Sequence, residues 1–436
     1  MQLPISARIG IIGAGSSGIA TAKNLMQCGF HQLILWEQSS RVGGNWVYSE
    51  SVQHSSVYET THIITSKKHS AYLDFPLPED YPDYPSHEQM AAYFHAYAQT
   101  FGVLEKIQFN TRVLKATPVK DGGWQIQTDR ADQPEQVDFL IVCNGHHWNP
   151  RFPDYPGHFS GEFLHSHSFK NNKPFAGKRV LVIGAGNSGC DAAVEVSRVA
   201  KHTAISMRRG YHFIPKFVFG RPADEVANRF QWVPDFLLDW VYALVLRLEN
   251  GDIRSYGLAL PDHGVRQSHP VSNSELLYAI RHGKIKPRRD IARLDRDVVH
   301  FTDGTQDSFD VIIAATGFKI TFPFFDEQLV HFQDKEVRLY QRMWHPTLPG
   351  LAFIGLIQAS GCFWKLADYQ ARLLANILSG KGQLPKNLDR AIDREVEENK
   401  KWFTQSPRHL IEVDYFKYSR ALIAATPRSA PEWKSK

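Results

Sequence analysis

The chain has 436 residues, too long for one ordinary core and long enough for two nucleotide-binding domains. Apolar residues at 43% and charged residues at 22% exclude a disordered chain and a membrane bundle. Fifty basic against 45 acidic residues leave a net charge of +5, which suits anionic cofactors but is too weak and too dispersed for nucleic-acid binding.

The opening stretch MQLPISARIGIIGAG has no charged region followed by a long apolar segment and a cleavage site. No signal peptide is expected, and the chain is expected in the cytoplasm. From 8 to 37 the pattern reads strand, glycine-rich turn, helix and second strand, ending in an acid. This is a dinucleotide fingerprint. Gly13 permits the tight turn, Gly15 lets backbone approach a pyrophosphate, and Gly18 lets helix and strand pack closely, while the helix N-terminus through Ser16 and Ser17 offers free N–H groups to phosphate. Glu37, twenty-four residues after Gly13, stands where a carboxylate can accept ribose hydroxyls, with Gln38 beside it.

The stretch VDFLIVCNGH at 137–146 is an acid, a β-rich apolar run and a glycine turn. At 179–209 the fingerprint recurs, with Gly184, Gly186, Asn187, Ser188 and Gly189 in the turn and helix start. Counting twenty-four residues from Gly184 reaches Arg208, followed by Arg209. An acid favours a ribose with free hydroxyls, whereas guanidiniums favour one carrying a 2′-phosphate, so the second site is expected to take NADPH. FDVIIAATGF at 309–318 repeats the acid, strand and glycine turn, and puts Thr316 beside the second cofactor. The first site, without a 2′-phosphate, could hold FAD or NAD; FAD is favoured, because two nicotinamides have no hydride to exchange whereas NADPH can reduce a flavin.

Between these landmarks, 211–265 reads as an insertion that covers a substrate channel or a partner surface, or simply packs. Its run FLLDWVYALVL is too short to span a bilayer and is expected as a buried or interface helix. Ser272 and Glu275 read as a capping box, and a strand hairpin is expected near 298–305. NLDRAIDREVEENKKWF alternates charge at helical spacing and predicts a solvated helix with one apolar stripe; the last ten residues look loose. The four cysteines, Cys28, Cys143, Cys190 and Cys362, lie far apart, which argues against a disulfide reductase and against a zinc site. No metal-ligand spacing or GxSxG elbow is present, and no metal is expected.

Further segments resemble the flavin-containing monooxygenases of class B, and the resemblance spans 8 to about 380. RVGGNW at 41–46 is similar to the family's loop over the FAD pyrophosphate, which adds Gly44, Asn45 and Trp46 to the FAD-binding set. FSGEFLHSHSF at 159–169 matches the signature FxGxxxHxxxY through Phe159, Gly161 and His165, and has Phe169 where the family has Tyr. GAGNSG, AATGF and LIQASG look like the NADP turn, the hinge motif and the approach to the last flavin-side helix. His165 could instead be merely structural.

The resemblance implies an α/β fold of two Rossmann-like dinucleotide-binding domains, with the NADPH domain, 169–299, inserted into a discontinuous FAD domain, 1–168 and 300–436. It implies that NADPH reduces FAD, that O2 adds at flavin C4a, and that a soft nucleophile such as an amine, a sulfide or indole takes the distal oxygen. Partners are then a small-molecule substrate and O2, with a homodimer left open. The family usually places an Asn near the flavin where an ungapped reading puts Ile64, which cannot hydrogen-bond. His62, Ser66 and Thr65 are the nearest polar groups on that loop, and Gln358 joins His62, Ile64 and Ser66 as the candidate flavin-side pocket. Baeyer–Villiger oxygenation of ketones, an NADPH oxidase releasing H2O2 and a non-catalytic nucleotide sensor are the alternatives.

Overall fold

The structure is a computed structural model that describes residues 2–427 apart from 52–53, 121, 231, 331, 333–336 and 404–409. The expectation of a loose tail concerns residues that lie, but for Pro427, outside that description. The chain divides into two compact units, one of 1–47, 67–146 and 320–436, the other of 48–66 and 147–319.

The first unit is built on a five-stranded parallel sheet in the order Leu351–Phe353, Phe139–Val142, Ile9–Ile12, Leu33–Trp36, Ile107–Gln108. The second has its own, in the order Glu162–His165, Val311–Ala314, Arg179–Ile183, His202–Ser206, Lys286–Arg288. The central strands IGII, LILW, FLIV and VIIA are buried throughout, which is why they are unbroken apolar runs rather than alternating ones. Each sheet receives an antiparallel meander, between Ile107–Gln108 and Phe139–Val142 in the first and between Lys286–Arg288 and Val311–Ala314 in the second. In the first unit it comprises Val113–Pro118, Trp124–Thr128 and Glu135–Val137. In the second it comprises Ile291–Arg296, Val298–Phe301 and Gln306–Ser308, flanked by Gly157–Phe159. The internal repeat is therefore one of whole domains.

The acids ahead of the two repeated strands have a shared task. The Arg8 amide donates to Asp138 Oδ2 at 2.7 Å and the Arg179 amide to Asp310 Oδ2 at 2.8 Å, while each acid's own amide returns a 2.8 Å bond to the arginine carbonyl. Each pair pins the start of the fingerprint strand to its neighbour and so sets the register. The helices Ser16–Gln27 and Asn187–Ser197 then cross directly onto their strands. A Cβ on Gly18 would sit 1.9 Å from Gly13 O, and one on Gly189 would sit 2.0 Å from Gly184 O, distances that no side chain survives.

The domain boundaries differ from those expected at 168/169 and 299/300. Residues 147–168 and 300–319 pack with the second unit because Gly157–Phe159 extends its meander and Glu162–His165 and Val311–Ala314 are strands of its sheet. Segment 48–66 also belongs to it. The insertion forms the helices Ala223–Arg229 and Asp235–Asn250, and the latter is not a buried helix: Leu238 is buried, but Leu237, Trp240, Leu244 and Leu248 are exposed. Asp239, the polar break in its apolar run, pairs with Arg266 at 2.8 Å. The capping box of Ser272 and Glu275 does not form. Ser272 is in a strand paired with Ile214, and the cap acceptor for helix Glu275–Arg281 is Asn273 Oδ1, which takes the Leu276 amide at 2.8 Å. The charged helix expected near the C-terminus is present as Leu388–Trp402, with Ile392 and Val396 as its buried stripe.

Replacing Gly18 or Gly189 with Ala forces the fingerprint helix off its strand. Each variant should lose about 1–3 kcal/mol of stability in urea unfolding, whereas Gly177→Ala, at a φ of +70° with open space around it, should cost less. Equal midpoints for Gly18→Ala and Gly177→Ala would contradict the close crossing.

Candidate functional site

In the first unit the residues expected to bind FAD gather at the carboxyl edge of the sheet. Gly13, at φ +99°, turns the chain where a Cβ would meet Cys143 O at 2.7 Å. Gly15 faces the loop 41–46, whose Gly43 amide donates to Ala14 O at 3.2 Å, and a Cβ on Gly44 would come within 3.0 Å of Gly15 Cα. Two glycine backbones thus form the walls of one narrow cradle, which is the surface a pyrophosphate needs and any side chain would fill. Ser16 and Ser17 are buried at the start of the helix, and Ser16 O accepts the Tyr72 hydroxyl at 2.6 Å. Asn45 and Trp46 lie in the short helix Gly44–Trp46, and the Trp46 ring meets Trp364 edge-on at 5.6 Å.

Glu37 ends the second strand and is almost wholly buried. Its Oε2 accepts the Ala14 amide at 2.8 Å, and its Oε1 accepts the Ser39 amide and hydroxyl at 2.8 Å each. The carboxylate is fixed by the turn it serves: Oε1 already accepts two bonds, and Oε2, which accepts one, keeps a lone pair for a ribose hydroxyl. Gln38, by contrast, is exposed and reaches Arg112 only at 3.5 Å. The fit to an adenine dinucleotide without a 2′-phosphate is good.

The second fingerprint repeats the geometry with different chemistry. Gly184 has φ +95° and its Cβ would lie 2.6 Å from Ala315 O, the counterpart of Cys143 O. The strand register corrects one equivalence. Gly13 donates to Trp36 O and the Glu37 amide to Gln108 O; Gly184 donates to Ser206 O and the Met207 amide to Arg288 O. Met207, not Arg208, therefore occupies the Glu37 position, because the connection between fingerprint turn and second strand is one residue shorter in this copy. Met207 is buried, while Arg208 is exposed one step further on and makes no ion pair among the described residues. Arg209 is half-buried, with its guanidinium 5.7 Å from the Tyr211 ring. The corresponding strand end thus has no carboxylate and a free guanidinium, and it suits a phosphorylated ribose.

Of the remaining residues expected at this site, Ser188 is exposed at the helix start. Asn187 is committed to its own unit, since its Oδ1 accepts the Ser272 amide at 2.7 Å. The Thr316 hydroxyl donates to Arg151 O at 2.5 Å, tying the hinge motif to the segment before the signature.

The signature histidine is internal. His165 Nδ1 accepts the His167 amide at 3.1 Å, which leaves Nε2 protonated and donating to Gly317 O at 3.0 Å. Burial pushes its pKa down to about 4, so the ring is neutral and joins the signature to the glycine turn of the hinge motif. Phe169, buried where the family has Tyr, packs on Phe175 and on Tyr58 at 5.7 and 5.6 Å.

Three of the four flavin-side candidates lie on one segment of the second unit. His62 is exposed, with its Nδ1 on Thr60 O at 2.8 Å, and Ile64 is 37% exposed. Ser66 is buried; its amide donates to Asp224 Oδ2 at 2.7 Å and its hydroxyl has no partner among the described residues. Gln358 belongs to the first unit, on the two-residue strand Gln358–Ala359 that pairs with Glu412–Val413. Lys170, Asp191 and Asp224 were not singled out by sequence reasoning, yet they hold this segment in place. The available signal was weak, since Asp191 stands four residues after Asn187 in a helix that also carries Glu195. Among the described residues no cluster of metal-ligating side chains occurs, and all four cysteines are free.

Residues 6–431 match the family described as Flavin-binding monooxygenase-like. Flavin-containing monooxygenase 5 of Rattus norvegicus is 34% identical over 431 residues, covering 94% of this chain and 80% of that protein. Among solved structures, S-allyl-L-cysteine S-oxygenase from Allium sativum superposes with a TM-score of 0.74 at 23% identity, covering 99% of this chain and 91% of that one. A cyclohexanone monooxygenase superposes with 0.72 at 15% identity, over 96% and 97% of the two chains. The doubled parallel-sheet fold and the sequence match over nearly the whole length lead to one conclusion: the chain belongs to the flavin-binding monooxygenase-like family and is a flavoprotein oxidoreductase.

Proposed function

We propose that this monooxygenase holds FAD at the first fingerprint and NADPH at the second, and oxygenates a soft nucleophile of the amine, sulfide or indole class. The observation that carries the reading is the contrast between equivalent strand ends, a buried and oriented Glu37 in one sheet and Met207 followed by an unpaired Arg208 in the other. When bound, FAD supplies hydride acceptance from NADPH and the activation of O2.

The chain supplies binding and orientation. Glu37 accepts the adenosine hydroxyls of one cofactor, the Gly15–Gly44 cradle admits its pyrophosphate, and Arg208 takes the 2′-phosphate of the other. His165 keeps a neutral ring between signature and hinge motif. No side chain in this set need act as a nucleophile. Ile64 is the observation that favours a second reading, an oxidase that returns reduced oxygen as H2O2, because an alkyl side chain offers no hydrogen bond to an oxygenated cofactor.

Arg208→Ala should raise KM for NADPH roughly tenfold or more, the equivalent of about 1.4 kcal/mol of lost binding, and leave KM for NADH nearly unchanged. Equal effects on the two would remove the phosphate assignment. Under argon, NADPH should bleach the yellow protein. On readmission of air with methyl phenyl sulfide, sulfoxide should form, whereas cyclohexanone should yield little lactone. Lactone as the main product would favour ketone oxygenation, and H2O2 without either product would favour the oxidase. Ile64→Asn should then shift the balance, raising sulfoxide and lowering H2O2 per NADPH by about twofold or more; an unchanged ratio would show that Ile64 is not what limits coupling.

A further inference from the structure

The segment 55–66 that carries His62, Ile64 and Ser66 is stitched at every turn to the second unit. Lys170, immediately after the signature, buries its ammonium against this segment, donating to Ser55 O at 2.6 Å and Val57 O at 3.4 Å, and its carbonyl accepts the Glu59 amide at 2.8 Å. No carboxylate lies within ion-pair distance of that ammonium among the described residues, and burial lowers its pKa to about 8. Without a counter-ion, the ammonium is held by the carbonyl dipoles of Ser55 and Val57, and it fixes them in turn.

Tyr58, between Val57 and Glu59, packs its ring at a tilt against Phe169 and donates its hydroxyl to Asp191 Oδ2 at 2.6 Å. Asp191 stands one helical turn after Asn187, in the helix whose N-terminus forms the second fingerprint, and its other oxygen takes Asn273 Nδ2 at 2.5 Å. Ser56 adds a link of its own: its hydroxyl donates to His147 O, so His167 Nδ1 donates to Ser56 Oγ at 2.7 Å. The far end is closed by Ser66, whose amide is held by Asp224.

These bonds make the strap an extension of the fingerprint helix and of the signature. From them we infer that Tyr58, Lys170 and Asp191 are positioning residues through which NADPH bound at the second fingerprint orders the strap carrying Ile64. The inference rests on the placement of NADPH proposed above. A ligand that fixes the N-terminus of helix Asn187–Ser197 fixes Asp191 one turn away, and through its short bond to Tyr58 it fixes the start of the strap. The role differs from simple packing, since Tyr58→Phe keeps the ring on Phe169 and removes only the link to the helix.

Hydrogen exchange of the FAD-loaded protein, read on peptides spanning 55–66 with and without NADP+, tests the coupling. In the wild-type protein NADP+ should slow exchange in the strap by roughly tenfold. In Tyr58→Phe and Lys170→Met that slowing should fall below about twofold and the share of NADPH recovered as H2O2 should rise, while flavin content and the rate of anaerobic flavin reduction stay near wild type. Lys170→Arg, which keeps donors for the two carbonyls, should restore part of the effect, and it keeps the test open if Tyr58→Phe does not fold. The inference is overturned if NADPH bleaches the flavin but NADP+ leaves exchange in the wild-type strap unchanged, or if Tyr58→Phe and Lys170→Met both match wild type in exchange and in H2O2. If NADPH does not bleach the wild-type protein at all, the cofactor placement itself falls and this coupling falls with it.

Discussion

The two units depend on one contact made twice, the approach of a helix backbone to the carbonyl oxygen of the first fingerprint glycine. Gly18 lies against Gly13 O and Gly189 against Gly184 O so closely that a methyl group would overlap the oxygen. Because the helix presses on the strand there, its unpaired N–H groups open at the carboxyl edge of the parallel sheet, beside the end of the neighbouring strand. The acids Asp138 and Asp310 secure the opposite end of the crossing by pairing with the backbone of the fingerprint strand. Position and charge at the cofactor edge follow from these fixed points, and the chemical difference between the two copies reduces to what stands one or two residues past the second strand.

Local features were legible in the sequence and long-range ones were not. The buried strands announce themselves because both faces are covered, and the glycines because no other residue fits the turn. Counting from glycine to charge failed by one residue in the second copy, since HTAISM reads as an unbroken strand from either starting point and only the ladder, with Gly184 on Ser206 O, sets the frame. Ser272 and Glu275 match a capping box in sequence, but the tertiary position of Asn273, shared with Asp191, makes Asn273 the cap acceptor. The apolar run in helix Asp235–Asn250 predicts a buried or interface helix, and of these the structure excludes the fully buried one, since Leu238 is covered while Leu237, Trp240, Leu244 and Leu248 are exposed.

The signature FxGxxxHxxx was recognisable as a pattern but not as a mechanism. In the fold its histidine joins strand Glu162–His165 to the glycine of the hinge motif, and the residues after it, His167, Phe169 and Lys170, form a rail along which 55–66 is laid. Those partners are separated by more than a hundred positions, and none is unusual for its local sequence. Phe169 in place of Tyr is accommodated because the position is buried between Phe175 and Tyr58, where a hydroxyl would need its own acceptor.

Selection of the nicotinamide cofactor and control of the strap therefore reside in the same compact unit. In the proposed reading Arg208 selects the phosphorylated dinucleotide at one end of the helix–strand pair, and Asp191 on that helix holds Tyr58. An Ile at position 64 removes a polar contact from the strap without removing the bonds that place it, because those are made by neighbours, among them Tyr58, Ser56 and the carbonyls of 55 and 57 on one side and the Ser66 amide on the other. The placement of the strap and the chemistry of its central residue are thus separable. A change at 64 alters what the strap presents, whereas a change at 58, 170 or 191 alters whether it is presented at all.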